Sequence, residues 1–226
     1  MIRRVLLAAF LSGIAAAILM SGAQQLRVIP LIVEAERYET GLPAAHGHDS
    51  TTAHSHDASP ADGASLNRAV LTVSGNVITG VCFALLLTAV ALILNLPLTP
   101  ANGLTWGFLG FVTFSLAPAI GLPPELPGMP AADLFARQIW WWQAVIATGG
   151  GLLLMAKVKN AYAAAAGACL IALPHLIGAP DPVTFESTLP PHLASAYAAN
   201  ALGSALLLWA LIGIFLGKGL NFTAKD

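Results

Sequence analysis

Four histidines fall within eleven residues of one polar stretch, as two His-x-His pairs: His46 and His48, then His54 and His56. Asp49 and Asp57 follow the pairs directly, and Asp62 lies a little further on. Neutral imidazole is a common ligand for zinc, copper, nickel and cobalt, and a neighbouring carboxylate can complete a mixed nitrogen and oxygen sphere. The stretch, residues 44–63, is otherwise rich in Ala, Ser, Asp and Gly, a composition that also suits an ordinary disordered polar loop. A mobile imidazole cluster binds divalent metals in the Irving–Williams order, so it gathers a metal without choosing it.

A second group of candidates lies close to apolar segments. His175 is a histidine near membrane depth, where an ionisable side chain is a functional hypothesis by default. Pro174 before it removes an amide donor and so frees a backbone carbonyl one turn earlier, which could also face a cation. A histidine hydrogen-bonded at the interface accounts for the position equally well. Glu34, Glu36 and Glu39 could form a harder oxygen site where a helix leaves the membrane, although a solvated helix end explains them too. Gln24 and Gln25 stand one or two turns below these acids and could continue a polar route. Asn76, Gln143 and Asn200 each follow a basic residue or histidine by about two turns, roughly 10 Å along a helix. They are expected to form a polar tier, or simply to tie helices together by hydrogen bonds.

The elements that must position these residues are membrane helices. Of the 226 residues, 57% are hydrophobic and 9% charged, whereas soluble domains carry about 25% charged residues. A net charge of −1 offers no basic surface for nucleic acid. Apolar runs long enough to cross a bilayer occur at about 5–25, 70–94, 103–121, 139–155, 161–178 and 196–217. The expectation is an all-α integral membrane protein, a single polytopic domain over residues 1–226 with about six transmembrane helices and a flexible His-rich outer loop at 44–63. Ser21-Gly22-Ala23 also resembles a signal cleavage site, and cleavage would leave five helices.

Lysine and arginine set the orientation. With the N-terminus inside, Arg3, Arg4, Lys157, Lys159, Lys218 and Lys225 are cytoplasmic, and Arg27, Arg37, Arg68 and Arg137 are outside. Both termini are then cytoplasmic, the loop is outside, and all six histidines and every acid except Asp226 share its side. An acidic, imidazole-rich face concentrates cations. The outward-running helices end alike, in Pro118 followed by Ile-Gly-Leu-Pro and Glu125, and in Pro174 followed by Ile-Gly-Ala-Pro and Asp181. Three hairpin repeats are the corresponding expectation. Cys82 and Cys169 are neither a CxxC pair nor a disulfide framework. The chain has no phosphate-binding loop, no HExxH, no GxSxG and no mid-membrane acid.

The segments QQLRVIPLIVEAERYE, LTWGFLGFVTFSLAPAIGLPPELPGMPAADLFARQIWW and LPHLIGAP, with the His-rich loop, closely resemble the CbtA family of predicted cobalt transporter subunits. The resemblance covers nearly the whole chain. It implies a bacterial inner-membrane protein for cobalt uptake, linked to cobalamin synthesis, and a small single-span, histidine-containing partner of the CbtB type. Co²⁺ would be cargo and no tightly bound cofactor is implied; Ni²⁺ or Zn²⁺ are alternative cargoes. The family motifs fall on Gln25, Glu34, Glu36, Glu39, the four loop histidines, Pro118, Glu125, Asp133, Arg137, His175 and Asp181. Ser115 stands where the family pattern has a longer polar side chain. The reading is a non-enzymatic metal-uptake subunit. Its rivals are a metal-sensing or metal-delivery module, and a membrane metalloenzyme built on His175, His192 and Glu186.

Overall fold

A computed structural model describes residues 2–39 and 60–224; the four loop histidines, Asp49 and Asp57 lie outside them. The chain forms α1 (Ile2–Arg27), α2 (Ile29–Glu39), α3 (Pro60–Ile93), α4 (Gly103–Phe111), a π-helical turn (Val112–Leu116), α5 (Ala117–Gly121), α6 (Leu134–Lys157), α7 (Ala161–Ile177) and α8 (Pro191–Ala224). No strand occurs among the described residues. Five stretches are long and apolar enough to cross a membrane: α1, Leu66–Ile93 of α3, Gly103–Gly121, α6, and Pro191–Leu220 of α8. The sixth expected span is α7, whose 17 residues reach about 26 Å.

Side chains sort by size as a lipid solvent requires. In α1 the buried face is Ala9, Ser12, Gly13, Ala16, Ala17, Met20 and Ser21, while Leu6, Phe10, Leu11, Ile18 and Leu19 point outward. Hydrocarbon surrounds the helices, so burying leucine gains little, and small residues that let backbones touch bring the contact energy. A Cβ on Gly13 would stand 2.6 Å from the Gly80 carbonyl of α3. The same logic joins α4 to α8 through Gly107 and Gly213, and α6 to α7 through Gly151 and Gly167.

The packing order departs from three side-by-side hairpins. α1 packs along α3 and α8, α4 packs along α8, and α6 packs along α7. Only α1 with α3 behaves as an expected hairpin, because the remaining glycines that permit close approach pair α4 with α8 and α6 with α7. The core holds Leu208, Trp209, Ile212 and Leu216 of α8 against α1, α3 and α4. Trp209 is 1% exposed and stacks on Phe114 with ring centres 5.5 Å apart.

Prolines place the breaks. Pro30 cannot donate to the carbonyl four residues back, and the first helix turns at Val28 into α2. Pro118 acts similarly on the third span: the Ala117 N–H reaches five residues back to Val112, giving the π turn. Pro60 and Pro191 occupy first helical positions, which suits a residue without an N–H. Residues 60–63, expected in the loop, are therefore the opening of α3. Likewise α8 begins five residues before the expected apolar run, and Asp133 caps α6 by accepting from the Ala136 N–H at 2.9 Å.

Candidate metal-handling end of the bundle

The bundle has two chemically distinct ends. At one, α2 lies under the loops that follow α5 and α7, its Ala35 packed with Leu126, Leu189 and Leu193. Glu34, Glu36, Glu125, Asp133, Asp181, Glu186, His175 and His192 all belong to this α2 end. At the other, Lys157 reaches the last turn of α3, Gly219 approaches Ala8, and no acid occurs among the described residues. The partition of charge expected from the sequence is thus a partition in space.

His175 sits one residue after Pro174 in the last turn of α7, so its ring meets the start of α6. The Trp140 ring stands edge-on to it with centres 5.8 Å apart. Trp140 also donates its indole N–H to the Pro174 carbonyl at 3.3 Å. Trp140 is 4% exposed, and Gly121 makes room for it, since a side chain there would strike its ring. Both ring nitrogens of His175 are buried, and neither has a hydrogen-bond partner among the described residues. A buried imidazole normally satisfies at least one nitrogen, so this one retains its full capacity to donate or to ligate.

The acids of α2 are already engaged. Glu36 takes both its oxygens to Arg68 Nη1 of α3 at 2.9 Å. Glu34 pairs with Arg37 one turn along α2 at 3.4 Å. Both pairs are substantially exposed, and such pairs contribute only about 0–1 kcal/mol. Glu125 and Arg137 form a tighter pair at 2.8 Å, which ties the loop after α5 to α6. The side chain of Glu39 is outside the described set.

The expected tier of amides is dispersed. Asn76 donates to Ser21 Oγ at 2.9 Å and Gln24 Oε1 at 2.7 Å, joining α3 to α1. Asn200 donates to the Ala196 carbonyl of its own helix, and Gln25 and Gln143 are exposed. Ser21 and Arg68 are the partners that spacing alone did not single out. Ser115 accepts from the Trp209 indole N–H at 3.3 Å, so its short side chain serves the aromatic core. Among the described residues no three His, Cys, Asp or Glu side chains converge on one point. His175, His192 and Glu186 accordingly do not converge.

Several apolar spans, small-residue helix contacts and an acidic, histidine-bearing end define a multi-pass α-helical membrane protein. Residues 2–220 match the family described as "Probable cobalt transporter subunit (CbtA)". The chain belongs to the CbtA family. No curated protein and no solved structure matches it. The family description makes its members subunits, which implies a partner.

Proposed function

We propose that this chain is the membrane subunit of an uptake system for a divalent transition metal, with Co²⁺ as the first candidate and Ni²⁺ or Zn²⁺ as alternatives. The lysine end faces the cytoplasm by the positive-inside rule, which directs the α2 end and the loop outward, to the periplasmic side of a bacterial inner membrane. His46, His48, His54 and His56, with Asp49 and Asp57, collect the ion. Glu34, Glu36 and His175 take it next, and of the expected route residues Gln25, Asn76, Gln143 and Asn200 it is Asn76, joined to Ser21 and Gln24, that offers the polar continuation. The partner is a small single-span, histidine-containing subunit of the CbtB type.

The observation that carries this reading is His175: a half-buried imidazole whose two ring nitrogens are buried and unpartnered, at a proline-interrupted helix end on the acidic side of the bundle. Exposed ion pairs at Glu34 and Glu36 support it, since a divalent cation can displace a guanidinium that contributes so little. The ligands are spread over α2, α7 and the loop, which suits hand-over better than a permanent cage.

Radiocobalt uptake by cells expressing the chain with its partner tests the proposal. Replacing the four loop histidines by alanine should slow uptake at scarce metal and spare it at abundant metal, whereas His175→Ala should reduce it at both. Undiminished uptake by both variants would remove the division of labour. A sensing or delivery module without transport predicts no influx into liposomes that enclose a metal-sensitive dye.

A further inference from the structure

At the lysine end, the α6–α7 pair stands away from the rest of the bundle. α6 packs on the π turn and α5 near its first half, and beyond them a cleft of about 510 Å³ opens between α3, α4 and α6. Val145 and Phe114 line its end near the middle of α6, Leu96 and Ala156 its end nearest the lysines, and Gly149 and Gly150 leave room along one wall. Its polar lining is limited to Asn102, Thr105 and Thr113. Two of those side chains are occupied locally, Asn102 with Thr99 and Pro97, and Thr113 with the Leu109 carbonyl. A polar ion gains nothing from such walls, so the cleft lies off the metal route.

Length decides what fits. Eleven residue steps separate Val145 from Ala156, a rise of about 17 Å. A transmembrane helix needs the whole hydrocarbon thickness of about 30 Å, and the contact of α6 with the π turn and α5 closes the second half. One leaflet is about 15 Å deep, which is the span of a single lipid chain. Charge decides which lipid. Lys157 extends across the mouth to the Leu94 carbonyl at 2.7 Å, and exposed Lys159 follows in the turn to α7. Among the described residues at this end no carboxylate competes for either ammonium.

We propose that the cleft is a specific lipid site, holding one acyl chain of an anionic phospholipid with its phosphate over Lys157 and Lys159. An apolar hollow left empty forfeits the dispersion contacts of its walls, and a basic mouth between helices recruits acidic headgroups. The bound chain acts as a wedge between the α6–α7 pair and α3 and α4, which are otherwise bridged at this end by Lys157.

Native mass spectrometry of the delipidated full-length protein, given equimolar phosphatidylglycerol and phosphatidylethanolamine with identical chains, tests this without any metal. Wild type should retain one phosphatidylglycerol, preferred about fivefold over phosphatidylethanolamine. Lys157→Ala with Lys159→Ala should abolish the preference and leave binding of either lipid. Gly149→Leu should abolish retention of both: a Cβ there meets only the Thr113 methyl at 3.4 Å, and the rest of the side chain enters the cleft. Wild type that retains no lipid, or retains both lipids equally, overturns the proposal whether or not a variant folds. Unchanged retention by Gly149→Leu overturns it as well. Since no step involves metal, failure here leaves the uptake proposal standing, and the reverse is also true.

Discussion

Replacing His175 by leucine separates a ligand from a structural histidine, because the two roles predict opposite changes in stability. A buried polar group without a partner costs about 1–3 kcal/mol, and both ring nitrogens of His175 are in that position. Leucine removes that cost. It also removes the edge contact with Trp140, an interaction of about 0.5–1.5 kcal/mol. The balance runs from a loss of about 0.5 to a gain of about 2.5 kcal/mol, or at most several degrees in melting temperature for a chain of this size. Metal should reverse the order: cobalt at about a hundred times its dissociation constant stabilises a binding protein by about 2.7 kcal/mol, and the variant should lose that increment. Thermal unfolding of purified protein with and without Co²⁺, beside radiocobalt uptake, reads both quantities. A variant that melts well below wild type without metal, and still shows the full cobalt-induced rise, would refute the ligand role.

Other changes test the frame that holds this end together. Gly107→Leu drives a side chain into the Trp209 carbonyl of α8 and should destabilise by about 3 kcal/mol or prevent assembly, overpacking against backbone being worse than against flexible side chains; loss of folded protein in size-exclusion profiles checks it. Arg68→Ala should alter the melting temperature by no more than a few degrees, since its pair with Glu36 is exposed, yet it should raise cobalt affinity measured by calorimetry as one competing positive charge leaves the Glu36 carboxylate. Asn76→Leu removes two hydrogen bonds between α3 and α1 and should cost about 1–2 kcal/mol, with thermal unfolding as the readout. If uptake by this variant is unaffected at equal expression, Asn76 is a tie between helices and not a station on the route.

Much of this architecture is legible in the sequence because a bilayer makes few demands and makes them over long stretches. Six apolar runs fall on helices, and the described acids gather with His175 and His192 at one end. Boundaries and partners are harder. Pro60 and Pro191 extend helices into segments whose polarity reads as loop, since a helix can continue into water once its first turn is supplied with a proline. The partner of each helix is decided by where two glycines coincide, as at Gly13 with Gly80 or Gly151 with Gly167, and no linear spacing shows which stripes will meet. The amides illustrate the same limit: equal depth along three helices does not turn three side chains toward one another. Asn76 finds Ser21 and Gln24, while Asn200 turns back on its own helix.

His175 shows what the fold adds to a motif. In the chain it is one histidine beside a proline. In the bundle, Pro174 offers its carbonyl to Trp140, the absence of a side chain at Gly121 lets the indole lie flat across the helix ends, and the indole edge fixes the imidazole. The Trp140 contact is ring to ring, and neither imidazole nitrogen has a hydrogen-bond partner among the described residues. A site arranged for packing alone would have used leucine here and avoided the desolvation cost. Keeping an imidazole unsatisfied is costly unless something binds it, and the carboxylates of α2 at the same end of the bundle attract cations. On the uptake proposal, the chemistry at that end serves to pass a cation and not to hold the bundle together.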